Sequence, residues 1–251
     1  MFKVSPFKLN LYKTCPQQYK YVYIDDIADQ YKTAKPYLTM GAHVHNALKD
    51  FFEIEDVQER TWQTLEALLR KRWRENRNGF ASRDEEALYG KKAIQMLKVF
   101  MHENDVTKRP LLLEDYYETN LGSEVKLLGR IDRVDEDADG VHVIDYKTGK
   151  PQEEGFDPLQ LAAYAMIISA KLKKPVRKAS FLYLQTNLWQ SVEPSDELYQ
   201  DTVDRIMDEI ASIQNEQEFR PRVNPFCRSC DFIEICPARD EAKKFLKANK
   251  T

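Results

Sequence analysis

Residues 129–149 read GRIDRVDEDADGVHVIDYKTG. Two apolar runs flank an Asp- and Gly-rich stretch, a pattern that predicts a β-hairpin with strands over 125–134 and 141–147 and a turn at Asp135–Gly140. If Val134 faces Val141, then Asp132 faces Val143, and the period-two alternation sets Asp145 and Lys147 on the face of Asp132. Asp132 and Asp145 become diagonal neighbours, their Cβ atoms about 7–8 Å apart or somewhat less. That separation suits two carboxylates sharing one divalent ion. Without a cation, two anions on one buried face repel, and one of them should hold its proton. Lys147 beside them could orient an attacking water or balance charge on a phosphate. A purely structural reading stands next to this one, with Asp132 paired to Arg130 or Arg133 and Asp145 to Lys147.

Outward from the hairpin, the apolar spacing between Met40 and Asn104 is helical and reads as three helices, at Leu48, Phe51 and Phe52, at Leu65, Leu68 and Leu69, and at Ile94, Leu97, Phe100 and Met101. Ser5-Pro6 starts a helix that should stop near Cys15-Pro16. After Pro110 comes a strand over 111–119, then the hairpin, a helix from Pro158 to about Leu172, a strand over Ala179–Gln185 and a helix over Glu197–Gln214. This order predicts an α/β fold: a mixed central sheet flanked by helices, with a helical insertion near its start and a cysteine-bearing C-terminal tail. We expect one domain over 1–251, with a mainly helical subregion at 16–109, a core at 110–215 and two tied-back ends at 1–15 and 220–240.

A chain of 251 residues, 42% hydrophobic and 31% charged, should bury roughly 70–75% of its unfolded surface without staples. Its longest uncharged run, 158–170, is too short for a membrane span of about 20 residues. The N-terminal MFKVSPFKLNLYK lacks the continuous apolar segment of a secretory signal, so a cytoplasmic protein with no membrane partner is expected. The net charge of -3 gives no global attraction for a polyanion, which would have to be held by local clusters. Three exist: Arg70, Lys71, Arg72, Arg74 and Arg77; Lys171, Lys173, Lys174, Arg177 and Lys178; and Arg220, Arg222 and Arg228. Each reads equally as a solvated face. No GxxxxGK[ST] phosphate loop occurs, which argues against a built-in ATP motor.

All four cysteines lie near the chain ends, at Cys15, Cys227, Cys230 and Cys236. Cys-x2-Cys with a third Cys six positions on has ligand-like spacing, and in a cytosolic protein it favours metal over disulfide. The fourth thiolate would be Cys15. Spacing alone leaves zinc and an iron–sulfur cluster open.

GRIDRVD followed by VIDYKTG resembles the PD-(D/E)XK nuclease superfamily, specifically its RecB-like exonucleases with an iron–sulfur cluster, related to CRISPR-associated RecB-like exonucleases and AddB nuclease domains. MGAHVHNALKDFF (40–52) resembles that family's glycine-then-histidine helix, which implies His45 as a metal ligand. His43 sits about 200° around the same helix and reads as a surface residue. Gln160 and Tyr164, one helical turn apart, match the family's QxxxY motif beside the scissile strand. CPQQY and CRSCDFIEIC resemble the arrangement that binds a [4Fe-4S] cluster.

The resemblance implies a Mg²⁺- or Mn²⁺-dependent deoxyribonuclease, an exonuclease on single-stranded DNA ends in repair, recombination or CRISPR adaptation, with a helicase or CRISPR integrase as partner. It implies His45, Asp132, Asp145 and the Tyr146 backbone carbonyl as metal ligands and Lys147 as the catalytic lysine. Gln160 and Tyr164 would hold the strand, and Trp189, read as exposed, would contact it. A second reading is a non-catalytic DNA-end or partner-binding module on the same fold.

Overall fold

The hairpin is tighter than the sequence pattern suggests. In the computed structural model, which describes residues 1–151 and 156–249, β3 (Val125–Asp137) runs three residues past its expected end. β4 (Gly140–Lys147) follows after only Ala138 and Asp139. Val134 therefore faces Val143, not Val141. The same register carries Asp132 to the position across from Asp145 rather than a diagonal one. Gly140 permits this early start: a Cβ there would lie 2.2 Å from the Pro175 carbonyl oxygen, the same oxygen that accepts the Val141 N–H at 3.0 Å.

β2 (Leu112–Leu121) pairs antiparallel with β3, and β5 (Val176–Tyr183) runs parallel to β4, so the connection between β4 and β5 must cross over and does so through α7 (Leu159–Leu172). Two strands escape sequence reading because they are too short to show alternation: β1 (Phe2–Val4) on β3, and β6 (Leu188–Val192), antiparallel on β5. The sheet order is β1-β3-β4-β5-β6, with β2 also on β3. Among the described residues no helix is long and apolar enough to cross a membrane.

The expected block of three helices is present as α4 (Pro36–Phe52), α5 (Trp62–Glu75) and α6 (Arg83–Glu103). Thr61 and Ser82 cap the last two by accepting the N–H groups of Thr64 and Glu85. Their apolar stripes, including Phe51, Leu65, Leu97 and Phe100, form one core with Ile144, Tyr146 and Leu182 of the sheet. At the edge of this core Arg60 is only 5% exposed; its guanidinium donates to the carbonyls of Phe52, Ile54, Val106 and Lys108.

The chain divides into two compact units. The first, residues 1–3 and 34–202, holds α4–α7 and most of the sheet. The second, residues 4–33 and 203 onward, contains α1 (Pro6–Thr14), α2 (Pro16–Tyr23), α3 (Ala28–Tyr31), the end of α8 (Asp196–Asn215) and α9 (Arg239–Ala248). As expected, Ser5 caps α1 and the helix ends before Cys15-Pro16; Pro16 then opens α2. Tyr19 and Phe219 stack with centroids 6.3 Å apart, and Tyr21 packs on Phe232 at 5.1 Å, tying the first helices to the tail within this unit.

Two predictions follow from the hairpin and the strand beside it. Gly140→Ala should lower unfolding stability by about 1–3 kcal/mol through overpacking against Pro175, read as a lower urea midpoint. The second concerns His142, whose Nε2 lies 2.7 Å from Ser180 Oγ, itself 2.8 Å from Ser191 Oγ. Burial, then Lys178, pulls His142 down from 6.5 to about 4. The unfolded chain takes up this proton first, so stability that is intact above pH 6.5 should fall by about 1–3 kcal/mol as pH drops toward 4. His142→Gln should flatten that part of the urea-midpoint profile.

Candidate functional site

Helix α4 approaches the end of β4 closely because Gly41 has no side chain: a Cβ there would stand 3.1 Å from Thr148 Oγ1. One turn on, His45 Nδ1 lies 3.0 Å from Asp132 Oδ1. His43 points elsewhere, as the 200° offset requires, but it is not a surface residue. It is 4% exposed, with Nε2 2.8 Å from the Asn76 carbonyl and its ring against Trp73 at 5.0 Å. The turn after α5 covers a helix face that the sequence alone leaves bare.

The β3–β4 ladder ends at Arg133 opposite Ile144. Beyond it the Tyr146 N–H donates to Asp132 Oδ2 at 2.7 Å instead of to a strand carbonyl. Asp145 is 5% exposed, and Lys147 Nζ stands 2.6 Å from its Oδ2. The pair is ionic but poorly directed, and Asp145 Oδ2 has no hydrogen bond among the described residues. Burial, opposed by Lys147 and reinforced by Asp132, drives the Asp145 carboxyl up to about 6. For His45 burial pulls down, yet Asp132, with Asp145 and Glu114 behind it, outweighs burial and raises it. The structural reading of the hairpin is half right. Asp145 does pair with Lys147, but Arg133 is taken by Asp135 and Arg130 by Glu114, so Asp132 is left to His45 and the backbone.

Glu114 is the residue the sequence reading passed over. Ligand atoms of His45, Glu114 and Asp132 all lie within 4.8 Å of one another. Glu114 is 7% exposed, and its Oε2 is buried with no hydrogen bond among the described residues. Pairing of Leu113 with Arg133 and of Asp115 with Ile131 sets Glu114 across from Asp132. The signal was available: Gly122, at φ +68°, marks the tight turn, and counting back from Leu121 opposite Val125 reaches Glu114 opposite Asp132. In LLLEDYYETN, with an acid at 114, 115 and 118, nothing local singles it out.

Gln160 on α7 accepts from Lys147 Nζ at 3.4 Å through Oε1 and donates to Tyr164 OH at 2.9 Å. Lys147, Gln160 and Tyr164 thus form one polar line. The glycine of GRIDRVD makes room for it, since a Cβ on Gly129 would lie 2.8 Å from the Tyr164 ring. Burial raises the Tyr164 hydroxyl far above its ordinary range, so it acts as a neutral hydrogen-bonding group.

The buried carboxylates of Glu114, whose Oε2 lacks a donor among the described residues, Asp132 and Asp145, together with the imidazole of His45, fit a hard divalent cation with oxygen ligands and one imidazole. A cation would offset the burial and, secondarily, the Asp132 repulsion that hold Asp145 toward its protonated form.

In the second unit, Cys15, Cys227, Cys230 and Cys236 are unbridged, half-buried and line one recess. The Arg222 N–H donates to Cys15 Sγ at 3.5 Å. Burial, with the other three cysteines adding and the Phe232 N–H opposing, pushes the Cys230 thiol up to about 11. Four thiols gathered in this way suit a metal that binds thiolates.

The basic clusters are partly paired with acids. Arg70 pairs with Glu66, Arg72 with Asp50 and Glu75, Arg77 with Glu86, Lys174 with Glu136 and Arg220 with Glu218. Trp189, expected to be exposed and to contact a strand, is half-buried on the core beside His142, centroids 5.7 Å apart. That is the sheet face away from Asp145, because Trp189 opposes Leu182, which itself opposes Tyr146.

No curated protein sequence matches the chain. The crystal structure of SSO0001 aligns over 94% of this chain and 86% of its own at 18% identity, with a TM-score of 0.43. A Eubacterium rectale protein described as a "putative exonuclease" aligns over 90% of this chain and 87% of its own at 13% identity, with a TM-score of 0.52, a likeness of fold. The model of the PD-(D/E)XK nuclease superfamily matches residues 3–237, across both units. With that match over nearly the whole chain, and a mixed sheet carrying buried acids and a lysine at its strand ends, the chain belongs to the PD-(D/E)XK nuclease superfamily.

Proposed function

We propose that this protein is a Mg²⁺- or Mn²⁺-dependent deoxyribonuclease, an exonuclease that hydrolyses phosphodiester bonds at single-stranded DNA ends. The observation that carries the reading is the buried group of Glu114, Asp132 and Asp145, with Glu114 Oε2 lacking a donor among the described residues and Lys147 beside Asp145. His45, Glu114, Asp132, Asp145 and the Tyr146 carbonyl would hold the ion. In an extended strand a residue's N–H and C=O point to the same edge, so the Tyr146 N–H bond to Asp132 turns that carbonyl toward Asp132 as well. When bound, the ion supplies Lewis-acid polarisation of the scissile phosphate. Lys147, held between Asp145 and Gln160, positions the attacking water and balances charge on the phosphate. Gln160 and Tyr164 present an amide and a neutral hydroxyl to the strand.

The cysteines form a separate, structural centre, a [4Fe-4S] cluster that pins the C-terminal tail to Cys15. Four unbridged cysteines lining one recess support the reading. We read residues 1–251 as one nuclease domain of the RecB-like branch, working in the cytoplasm in repair, recombination or CRISPR adaptation beside a helicase or integrase. The continuous family match across both units supports the single domain.

Lys147→Ala should lower kcat for end-labelled single-stranded DNA by about 10²–10³-fold while leaving thermal unfolding near wild type. Cleavage at the wild-type rate by the purified variant would refute the assignment. DNA-end binding without cleavage in either metal would instead mark a recognition module. Mn²⁺ at about 100 times its Kd should stabilise the wild-type protein by about 2.7 kcal/mol, and Glu114→Gln should lose most of that gain in a thermal melt. Cys230→Ser should turn a brown preparation colourless and lower the melting temperature, with nuclease chemistry persisting at temperatures where the fold survives. A colourless wild type containing zinc would overturn the cluster.

A further inference from the structure

Arg70, Arg74 and Arg77 of the first basic cluster, which the proposed hydrolysis does not use, line a groove of about 430 Å³. It runs between α5 and α6, both in the first unit. Its floor is aliphatic: Leu69 comes from α5, and Ala87, Gly90 and Ile94 come from α6, spaced three or four residues apart and so on one helix face. Trp73 completes the floor, but its ring is already engaged. Phe80 stacks on it with centroids 5.6 Å apart, His43 packs against it at 5.0 Å, and its Nε1 donates to Glu86 at 3.0 Å. What the indole turns toward Gly90 is the edge at Cζ2.

The rim carries more positive charge than the fold balances. Arg70, Arg74 and Arg77 stand on the α5 side and Arg83 and Lys91 on the α6 side, whereas Glu86 is the one carboxylate among the described residues lining the groove. Glu86 accepts from Arg77 at 2.6 and 2.7 Å and also faces Arg83, and Glu66 holds Arg70 from outside. Two carboxylates against five cations leave Arg74 and Lys91, one on each wall, with no ion pair or hydrogen bond among the described residues. Gly90 is a second, independent feature. Glycine in a helix interior is less stable than alanine, yet a Cβ at Gly90 would meet only Trp73 Cζ2, at 3.8 Å, an ordinary contact. The fold has room for a side chain here, and the sequence leaves the floor bare.

An apolar floor between cationic walls narrows the choice of occupant. A single strand of nucleic acid stacks its bases on open aromatic faces, and this groove offers an indole edge and aliphatic carbon. A helix with an apolar stripe flanked by acids matches both features, the stripe on the floor and the acids on the walls. We infer that the groove is a docking site for an acidic amphipathic helix of a partner protein, whose apolar residues pack over Ala87, Gly90 and Ile94 and whose carboxylates pair with Arg74 and Lys91. The bare backbone at Gly90 lets that helix approach closely. Docking uses neither the carboxylate cluster nor a metal ion.

The test is fluorescence anisotropy of the full-length protein with a labelled synthetic peptide of about 18 residues, five helical turns, carrying leucines at i, i+3, i+4 and i+7 spacing and glutamates on the flanks. One peptide should bind per chain, and a peptide of the same composition with its leucines scattered around the helix should bind at least about tenfold more weakly. Arg74→Glu and Lys91→Glu should each weaken binding by at least about tenfold, roughly 1.4 kcal/mol. Gly90→Leu keeps every charge and fills the floor, so it should abolish binding while holding or raising the melting temperature, because leucine is the better helix former. The inference is overturned by no binding, by equal binding of the scattered peptide, by binding indifferent to Gly90→Leu or Arg74→Glu, or by a single-stranded oligonucleotide displacing the peptide from the wild-type groove. The assay needs neither metal nor hydrolysis, so its failure and that of the nuclease reading are distinguishable.

Discussion

The structure turns on one carboxylate at the place where a β-ladder opens. Asp132 is the first β3 residue past the last ladder pair. One of its oxygens replaces the missing strand carbonyl by accepting the Tyr146 N–H, and the other faces His45. A buried backbone N–H without a partner would cost about as much as a lost hydrogen bond, so this bond fixes the Asp132 side chain in place at the end of the ladder. Fixing Asp132 sets Asp145 across from it, and the third acid, Glu114, lies opposite on the other neighbouring strand. Three buried acids then share a small volume, with Arg130, Lys147 and His45 as their compensation.

Two helices depend on this arrangement, each admitted by a glycine. Gly41 lets α4 close against Thr148 so that His45 reaches Asp132, and Gly129 lets the Tyr164 ring of α7 settle on the sheet so that Gln160 reaches Lys147. A methyl group at either position would move a site residue without touching the acids. These glycines explain why the chemistry-bearing motifs carry them. The sheet meanwhile separates two environments by alternation alone: the acids and Lys147 on one face, and on the other the Arg133–Asp135 pair, the His142–Ser180–Ser191 chain and the aromatic core.

Much of this was legible in the linear sequence because it depends on short-range periodicity. The helical block, the three strands around the turn, the capped first helix, the Cys227–Cys230–Cys236 spacing and the pairing of Gln160 with Tyr164 all follow from spacings within a few residues. The register was misjudged by two residues because Asp135–Asp137 look like turn residues. What keeps them in the strand is mostly distant: Lys174 binds Glu136 and the Pro175 carbonyl accepts the Val141 N–H over the bare Gly140, with the nearer Arg133 holding Asp135. His43 and Trp189 were read as exposed for a similar reason. Each lies on a local face that looks free until another element, Asn76 with Trp73 for one and the sheet core for the other, closes over it.

The sequence by itself determined the main helices and the four longer strands, their order, and most residue types that meet at the strand ends, since local propensity and alternation act over a few residues. Only the tertiary structure decided that Glu114 joins His45 and Asp132, that Asp132 is spared by Arg130 and Arg133, and that His142 and Trp189 meet on the opposite face. Those outcomes depend on which partner satisfies each buried charge. The choice is made among groups far apart in the chain by desolvation and packing, and no local pattern records it.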